Sequence, residues 1–266
     1  MNNSKTKIIA VTNQKGGVAK STTTINVGAG LAVRGKNVLL VDMDGQGDLS
    51  SWLGYDGEQK PTISDLIWST VSQVNPPIEN AVYHSDTENV DYIPSDSRLP
   101  LMISIIGSDS DSIGVIDRLF SDSFFDKYDY IIIDCHSHLD LLVSNVLKAC
   151  DRVLIPVQSD KLAYDGVFKL LSVLQSIKNT TYVQRYVVGM LITMCNSRTN
   201  SAKTVMKALK DSYGDCVFET FISYRDEAKV STINKTSLVG NKKSVIGQQY
   251  MAVVDEIISK EENGNG

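Results

Sequence analysis

Apolar residues recur along the chain in two alternating rhythms. Five runs of strand length, KIIAVTN (7–13), NVLLVD (37–42), YDYIIID (128–134), RVLIPV (152–157) and VVGMLIT (187–193), are almost continuously hydrophobic. Such runs suit strands buried on both faces, as in a parallel sheet. VDYIP (90–94) and CVFETFI (216–222) are weaker candidates. Between them, STTTINVGAGLAVRG, LLVSNVLKACD and YDGVFKLLSVLQSIK place apolar residues three and four apart, which predicts helices. The first closes on Gly35, a residue suited to a helix C-cap. Strands alternating with helices imply βαβ units and hence an α/β fold, a doubly wound, mainly parallel sheet with helices on both faces. Residues 55–90 are polar, contain Pro76-Pro77 and read as a surface excursion. No internal repeat or linker-like run divides the 266 residues, so the chain reads as one domain, 1–266, with flexible ends at 1–6 and 262–266.

Composition changes this picture little. With 42% hydrophobic and 21% charged residues, a packed core is expected. The start, MNNSKTK, lacks the apolar stretch of a signal peptide, and no apolar run approaches the roughly 18 residues that cross a bilayer. Cys135, Cys150, Cys195 and Cys216 lie far apart with no C-x-x-C pair, which reads as reduced, buried thiols of a cytoplasmic protein.

Charge changes it more. The net charge of -5 argues against a nucleic-acid partner, yet the average hides a reversal. From Cys195 to Lys243, nine basic residues outnumber five acidic ones, so this segment carries +4 and the remainder -9. Lys203, Lys207 and Lys210 are spaced four and three apart, on one face of a helix. Such a face could meet phosphates without reading bases; the plainer reading is a solvated helix surface.

The candidate chemistry begins at NQKGGVAKSTTT (13–24), between the first strand and the first helix. A phosphate-binding loop, G-x-x-x-x-G-K-[ST], has glycine before its lysine; here Ala19 stands there and a further lysine, Lys15, opens the loop. Backbone N–H groups over Gly16, Gly17, Val18 and Ala19, with the helix N-terminus, make a cradle for phosphate oxygens. Lys20 would reach the β- and γ-phosphates, Ser21 would offer its hydroxyl to Mg²⁺, and Thr22 would bond the α-phosphate. Alanine at position 19 costs about 1 kcal/mol if φ is positive there, which a loop can bear.

K-G-G-x-x-K-[ST] resembles the deviant Walker A motif of the ParA/MinD family of ATPases, in which the residue before the second lysine varies. The resemblance implies that Lys15 reaches across a nucleotide-sandwich homodimer to the partner's ATP. LLVDMDGQGDLSSWLG resembles the family's VDxDPQGN segment, which makes Asp44 the residue that orients the attacking water; Gly45 and Asp48 depart from the usual proline and asparagine. YIIIDCHSHLDLLVSNVL resembles its Walker B segment, with Asp134 holding Mg²⁺ through water. His136 and Ser137 stand where the family has two prolines. The His-Ser-His run invites a metal-site reading, but no complete ligand set is visible, so loop histidines are expected. GMLITMCNSRTNSAKTVMKAL is similar to the family's strand near the adenine, which makes Asn196 a candidate base contact. The likeness runs from Lys7 to SVIGQQYMAVVDEIIS.

The resemblance further implies a slow, partner-stimulated ATPase with ATP and Mg²⁺ as cofactors. Lys15, Lys20 and Asp44 would carry catalysis. Its ATP-bound homodimer would bind double-stranded DNA non-specifically through Lys203, Lys207, Lys210, Arg225, Lys235, Lys242 and Lys243. A ParB-like centromere-binding protein would stimulate hydrolysis and release, so the protein would be cytoplasmic and nucleoid-associated, with no membrane partner. No helix-turn-helix extension precedes Lys7, so operator binding is not expected. A MinD-like membrane positioner is an alternative, although the tail DEIISKEENGNG is acidic where a membrane helix would be basic. A positioner of a non-DNA protein cargo is another. An electron-transfer ATPase resembling the nitrogenase iron protein would need cluster cysteines, and no second cysteine neighbours Cys135 in sequence.

Overall fold

The five continuous apolar runs all become strands of one sheet. In the computed structural model, which describes residues 6–57, 61–159 and 163–263, the strands are β1 (Lys7–Val11), β2 (Val38–Met43), β3 (Tyr83–Ser85), β4 (Val90–Ile93), β5 (Tyr130–Cys135), β6 (Arg152–Gln158) and β7 (Val187–Thr193). Their order is β3-β4-β2-β5-β1-β6-β7. All neighbours are parallel except the antiparallel edge hairpin of β3 with β4. The hairpin stops the parallel sheet at one edge, and β3 carries too few apolar residues to announce itself in sequence.

The helices are α1 (Lys20–Val33), α2 (Asp48–Trp52), α3 (Ile63–Val71), α4 (Ile78–Ala81), α5 (Leu99–Gly107), α6 (Val115–Phe120), α7 (Leu141–Ala149), α8 (Ala163–Lys178), α9 (Asn200–Tyr213), α10 (Asp226–Asn234) and α11 (Val245–Asn263). Strand side chains alternate between two cores. Leu39, Val41, Ile131, Ile133 and Val153 join the layer with α3, α5, α6, α7 and α8. Ile9, Val11, Leu40, Ile132 and Leu154 join the layer with α1 and α11. Period-two alternation thus buries both faces, as the unbroken apolar runs require.

Two expectations need correcting. Residues 55–90 are not a surface excursion, because α3 places Ile63, Leu66 and Ile67 in the core with no exposure. Its start is a capping box: Thr62 accepts from Ser64 N–H and Asp65 Oδ2 accepts from Thr62 N–H at 2.9 Å. Helices as short as α3 and α4 among polar neighbours leave too few turns for their period to stand out. CVFETFI does not form a ladder strand either. It follows the β7 edge through an isolated bridge of Val217 with Met190, and Ile222 N–H donates to Ile192 O at 2.8 Å; a second bridge, Ser223 with Cys195, lies just past both segments.

Gly35 takes φ +78° just after α1, the left-handed turn expected of it. Residues 1–5 and 264–266, where flexible ends were expected, lie outside the described residues. Thr6 is tied down, its hydroxyl donating to Tyr128 O at 2.9 Å.

Candidate functional site

Strand register brings the candidate residues together. Val11 and Asp42 both pair with Asp134, so the loop after β1 and the carboxylates of β2 and β5 meet at the carboxyl edge of the sheet. Ligand crevices of open α/β sheets form at such edges.

The loop is bent by two left-handed residues, Gly17 at φ 72° and Ala19 at φ 66°. Ala19 is the N-cap of α1 and caps with no side-chain hydrogen bond, so no side chain of the cap takes up the free N–H groups of the helix's first turn. Neighbouring strands brace it from behind. Asn13 Nδ2 donates to Pro156 O at 2.7 Å, its Oδ1 accepts from Lys15 N–H at 3.0 Å, and Thr193 Oγ1 donates to Val18 O at 3.1 Å. Lys15 Nζ reaches Gln158 Oε1 at 3.1 Å, at the end of β6.

Lys20 is 9% exposed and its Nζ donates to Ser137 Oγ at 3.0 Å. Behind it, Thr24 Oγ1 lies within hydrogen-bond reach of two acceptors, Lys20 O at 3.1 Å and Asp134 Oδ1 at 3.3 Å. Burial, then the nearby charge of Asp42, pushes the Asp134 carboxyl up to about 8, against the Ser21 hydroxyl and Lys20. Burial raises Asp42 to about 6, against the bonds it accepts. Those bonds come from Ser50 Oγ at 2.6 Å, Ser50 N–H at 2.8 Å and Asp44 N–H at 3.0 Å. Asp42 therefore holds α2 and the Asp44 turn in place. Asp44 stands at the cavity wall, and its carboxylate accepts from Gln46 N–H at 3.0 Å.

Three adjoining cavities surround these groups. The first, about 430 Å³, is lined by Gly17, Ala19, Lys20, Ser21 and Asp44 on one flank and by Ser51, Thr232 and Lys235 on another. A second, about 410 Å³, shares Asp44 and Ser137 with it and continues past Gly45, Pro100 and His136. A third, about 190 Å³, shares Ala19, Thr22 and Thr232 and is walled by Met194, Ile222, Tyr224 and Tyr250. A left-handed loop, a lysine and a helix N-terminus beside buried carboxylates suit a nucleoside phosphate with a divalent cation. The raised Asp134 carboxyl is the group that such a cation would return to its charged form.

Of the candidate residues, Gly17, Ala19, Lys20, Ser21, Thr22 and Asp44 line the first cavity, while Lys15, Gly16, Val18 and Asp134 lie on the adjoining loop and on β5. Asn196 stands apart: it is exposed, accepts from Arg198 N–H at 3.4 Å, and does not line the apolar third cavity. Among the basic candidates, Lys203, Lys207, Lys242 and Lys243 are exposed, while Lys210 pairs with Glu219. Arg225 lines the third cavity and Lys235 the first, where its Nζ donates to Ser51 Oγ at 2.9 Å. His136 is held within its loop, its Nδ1 accepting from His138 N–H at 3.1 Å and its Nε2 3.4 Å from Asp140 Oδ2. Burial lowers its pKa. Among the described residues no three His, Cys, Asp or Glu side chains group to hold a metal.

Sequence reasoning missed the walls. Thr232, Tyr224 and Tyr250 come from α10, the segment before α10 and α11 respectively, with no motif to link them. Ser137 was visible as a departure from the proline pattern, but not as the partner of Lys20.

A family model described as an AAA domain matches residues 6–186. The chain is 36% identical over 222 residues to the sporulation initiation inhibitor protein Soj of Bacillus subtilis, covering 81% of this chain and 83% of that one. It is 29% identical over 258 residues to the chromosome partitioning protein ParA of Caulobacter vibrioides, covering 96% and 95%. Among solved structures, cobyrinic acid a,c-diamide synthase from Mycobacterium smegmatis, with an ATP analogue and magnesium bound, superposes with a TM-score of 0.80 at 28% identity, over 97% of each chain.

Proposed function

This chain belongs to the ParA/Soj family of partition ATPases, and from that premise we propose that it is a single P-loop domain that segregates DNA by ATP-controlled binding. The observation that carries the reading is the crevice at the carboxyl edge of the sheet, where Lys20, Asp44 and Asp134 converge on the loop with its second lysine, Lys15. ATP and Mg²⁺ are the cofactors it fits.

The adenine lies in the apolar third cavity, and the phosphates run along the first. Loop N–H groups and Lys20 hold the phosphates, and Thr22 stands where the two cavities join. Ser21 and, through water, Asp134 hold the metal. Mg²⁺, when bound, offsets the charge of the phosphate oxygens. Asp44 orients the attacking water, a task of positioning rather than covalent chemistry. Lys15 reaches the nucleotide of a second copy, so ATP closes a homodimer. The closed dimer presents Lys203, Lys207, Lys210, Lys242 and Lys243, with Arg225 and Lys235 at the cavity walls, to the DNA backbone without reading sequence. A ParB-like centromere-binding partner speeds the slow hydrolysis that releases it, which makes the protein cytoplasmic and nucleoid-associated.

The acidic tail DEIISKEENGNG counts against the membrane alternative, and so does the packing of α11. That helix turns Val253, Val254 and Ile257 inward against α1, so its apolar face is already buried. No helix among the described residues is long and apolar enough to cross a membrane.

The test is a pair of variants read by dimerisation and phosphate release. Lys20→Ala should lose ATP-dependent dimerisation. Asp44→Ala should retain ATP and dimerise, while hydrolysis falls by about 100-fold or more. Dimerisation by Lys20→Ala, or wild-type hydrolysis by Asp44→Ala, overturns the assignment.

A further inference from the structure

The junction of the first two cavities is made by Ser137 and Asp44, which line both. A different part of the first cavity's wall, Ala19, Thr22 and Thr232, is shared with the apolar third cavity. A nucleotide whose base occupies that apolar cavity therefore extends its last phosphate toward Ser137 and Asp44. Ser137 faces the loop directly, since its Oγ lies 3.8 Å from where a Cβ on Gly16 would stand. It also accepts from Lys20 Nζ at 3.0 Å.

The donor count gives these contacts a role. An ammonium has three N–H donors, so one bond to Ser137 leaves two for phosphate oxygens. A hydroxyl that accepts from a lysine still has a proton to give. Among the described residues, no acceptor on the protein takes the Ser137 proton. The hydroxyl is thus polarised by a buried cation on one side and turned to the cavity on the other. Proline in this place would supply neither bond.

We propose that Ser137 is a positioning residue for the terminal phosphate: it orients the Lys20 ammonium and donates its own hydroxyl proton to a γ-phosphate oxygen. The proposal rests on the ATPase reading above and adds to it a determinant of triphosphate over diphosphate that is built from this chain's own departure from the two-proline pattern. Oriented groups lower the cost of assembling the reactive geometry, so the effect reaches turnover as well as binding.

The experiment is equilibrium titration of fluorescent ADP and of a fluorescent, non-hydrolysable ATP analogue, with Mg²⁺, against wild-type protein, Ser137→Ala and Ser137→Thr. Loss of one charge-assisted bond should weaken the ATP analogue about tenfold in Ser137→Ala and leave ADP within about twofold. Ser137→Thr, which keeps the hydroxyl, should restore most of the loss. A structural role for the side chain would weaken both nucleotides alike, and that outcome overturns the proposal. So does an unchanged preference in Ser137→Ala with normal wild-type binding, which leaves the ATPase reading intact. Wild-type protein that binds neither nucleotide overturns the ATPase reading and this proposal together.

Discussion

Ala19 carries a backbone conformation usually left to glycine. At φ 66° its Cβ crowds the backbone, at a cost of about 1 kcal/mol that the loop's hydrogen bonds offset. Ala19→Gly should relieve that strain and raise the melting temperature slightly, by at most the equivalent of about 1 kcal/mol, because glycine also gains freedom in the unfolded chain. Nucleotide affinity should hold, since the N–H groups stay in place. A lower melting temperature would mean that the methyl packs usefully. Gly45 is the complementary case. A Cβ there would lie 3.0 Å from Pro100 Cδ, so the ring of Pro100 fills the space that a side chain at position 45 would need. The departure from proline at position 45 is thus matched by a proline on the neighbouring segment.

Between elements, close approach matters more than chemistry. Helix α1 lies so near α11 that a Cβ on Gly30 would meet Val254 Cγ2 at 2.7 Å. Gly30→Val forces the two helices apart and should cost about 1–3 kcal/mol, read as a lower denaturation midpoint. An unchanged midpoint would show that the seam relaxes freely. The same seam ties the nucleotide loop to the C-terminal segment. Buried Asn26 donates to Thr22 O at 2.8 Å and accepts from Leu238 N–H at 2.9 Å, and Thr23 Oγ1 lies 3.2 Å from the Tyr250 hydroxyl. At the first cavity, Lys235, just after α10, meets Ser51 on α2. Elements far apart in sequence therefore share the site.

For the molecule as a whole, two raised carboxyls set the response to pH. Asp134 at about 8 and Asp42 at about 6 lie above the ordinary value of 3.8, so the folded protein holds more protons than the unfolded chain. Their contribution to stability is therefore full below about pH 4 and is lost as pH rises toward 8. Without Mg²⁺ and nucleotide, the melting temperature should fall between pH 6 and pH 8, and Asp134→Asn should flatten that fall. A slope unchanged in Asp134→Asn would assign it to other groups. The surface charge predicts a second response. Binding of random-sequence DNA should require ATP and weaken on the order of 10³-fold between roughly 50 and 200 mM salt, if about six phosphates are contacted. Binding indifferent to nucleotide would separate the basic segment from the ATP site.

Much of this was settled by the chain's own order of residues. The five buried strands and the phosphate loop follow from local patterns, because burial on both faces demands unbroken apolar runs and a phosphate cradle demands a short loop before a helix; the resemblance to the family's segments singles out Asp44 and Asp134. Tertiary structure alone decided the rest. The short helix α3 is core because a sheet lies beneath it, not because its period is strong. CVFETFI has the composition of a strand, yet meets β7 only through one isolated bridge and a few hydrogen bonds. Lys235 and Arg225 read as outward basic residues in sequence and stand at cavity walls in space, whereas Asn196, placed by its neighbours in the chain, stands away from the apolar cavity. Ser137 meets Lys20 across 117 residues. Local patterns record which face of an element is buried; which side chains meet across a crevice depends on the strand order that brings their loops together.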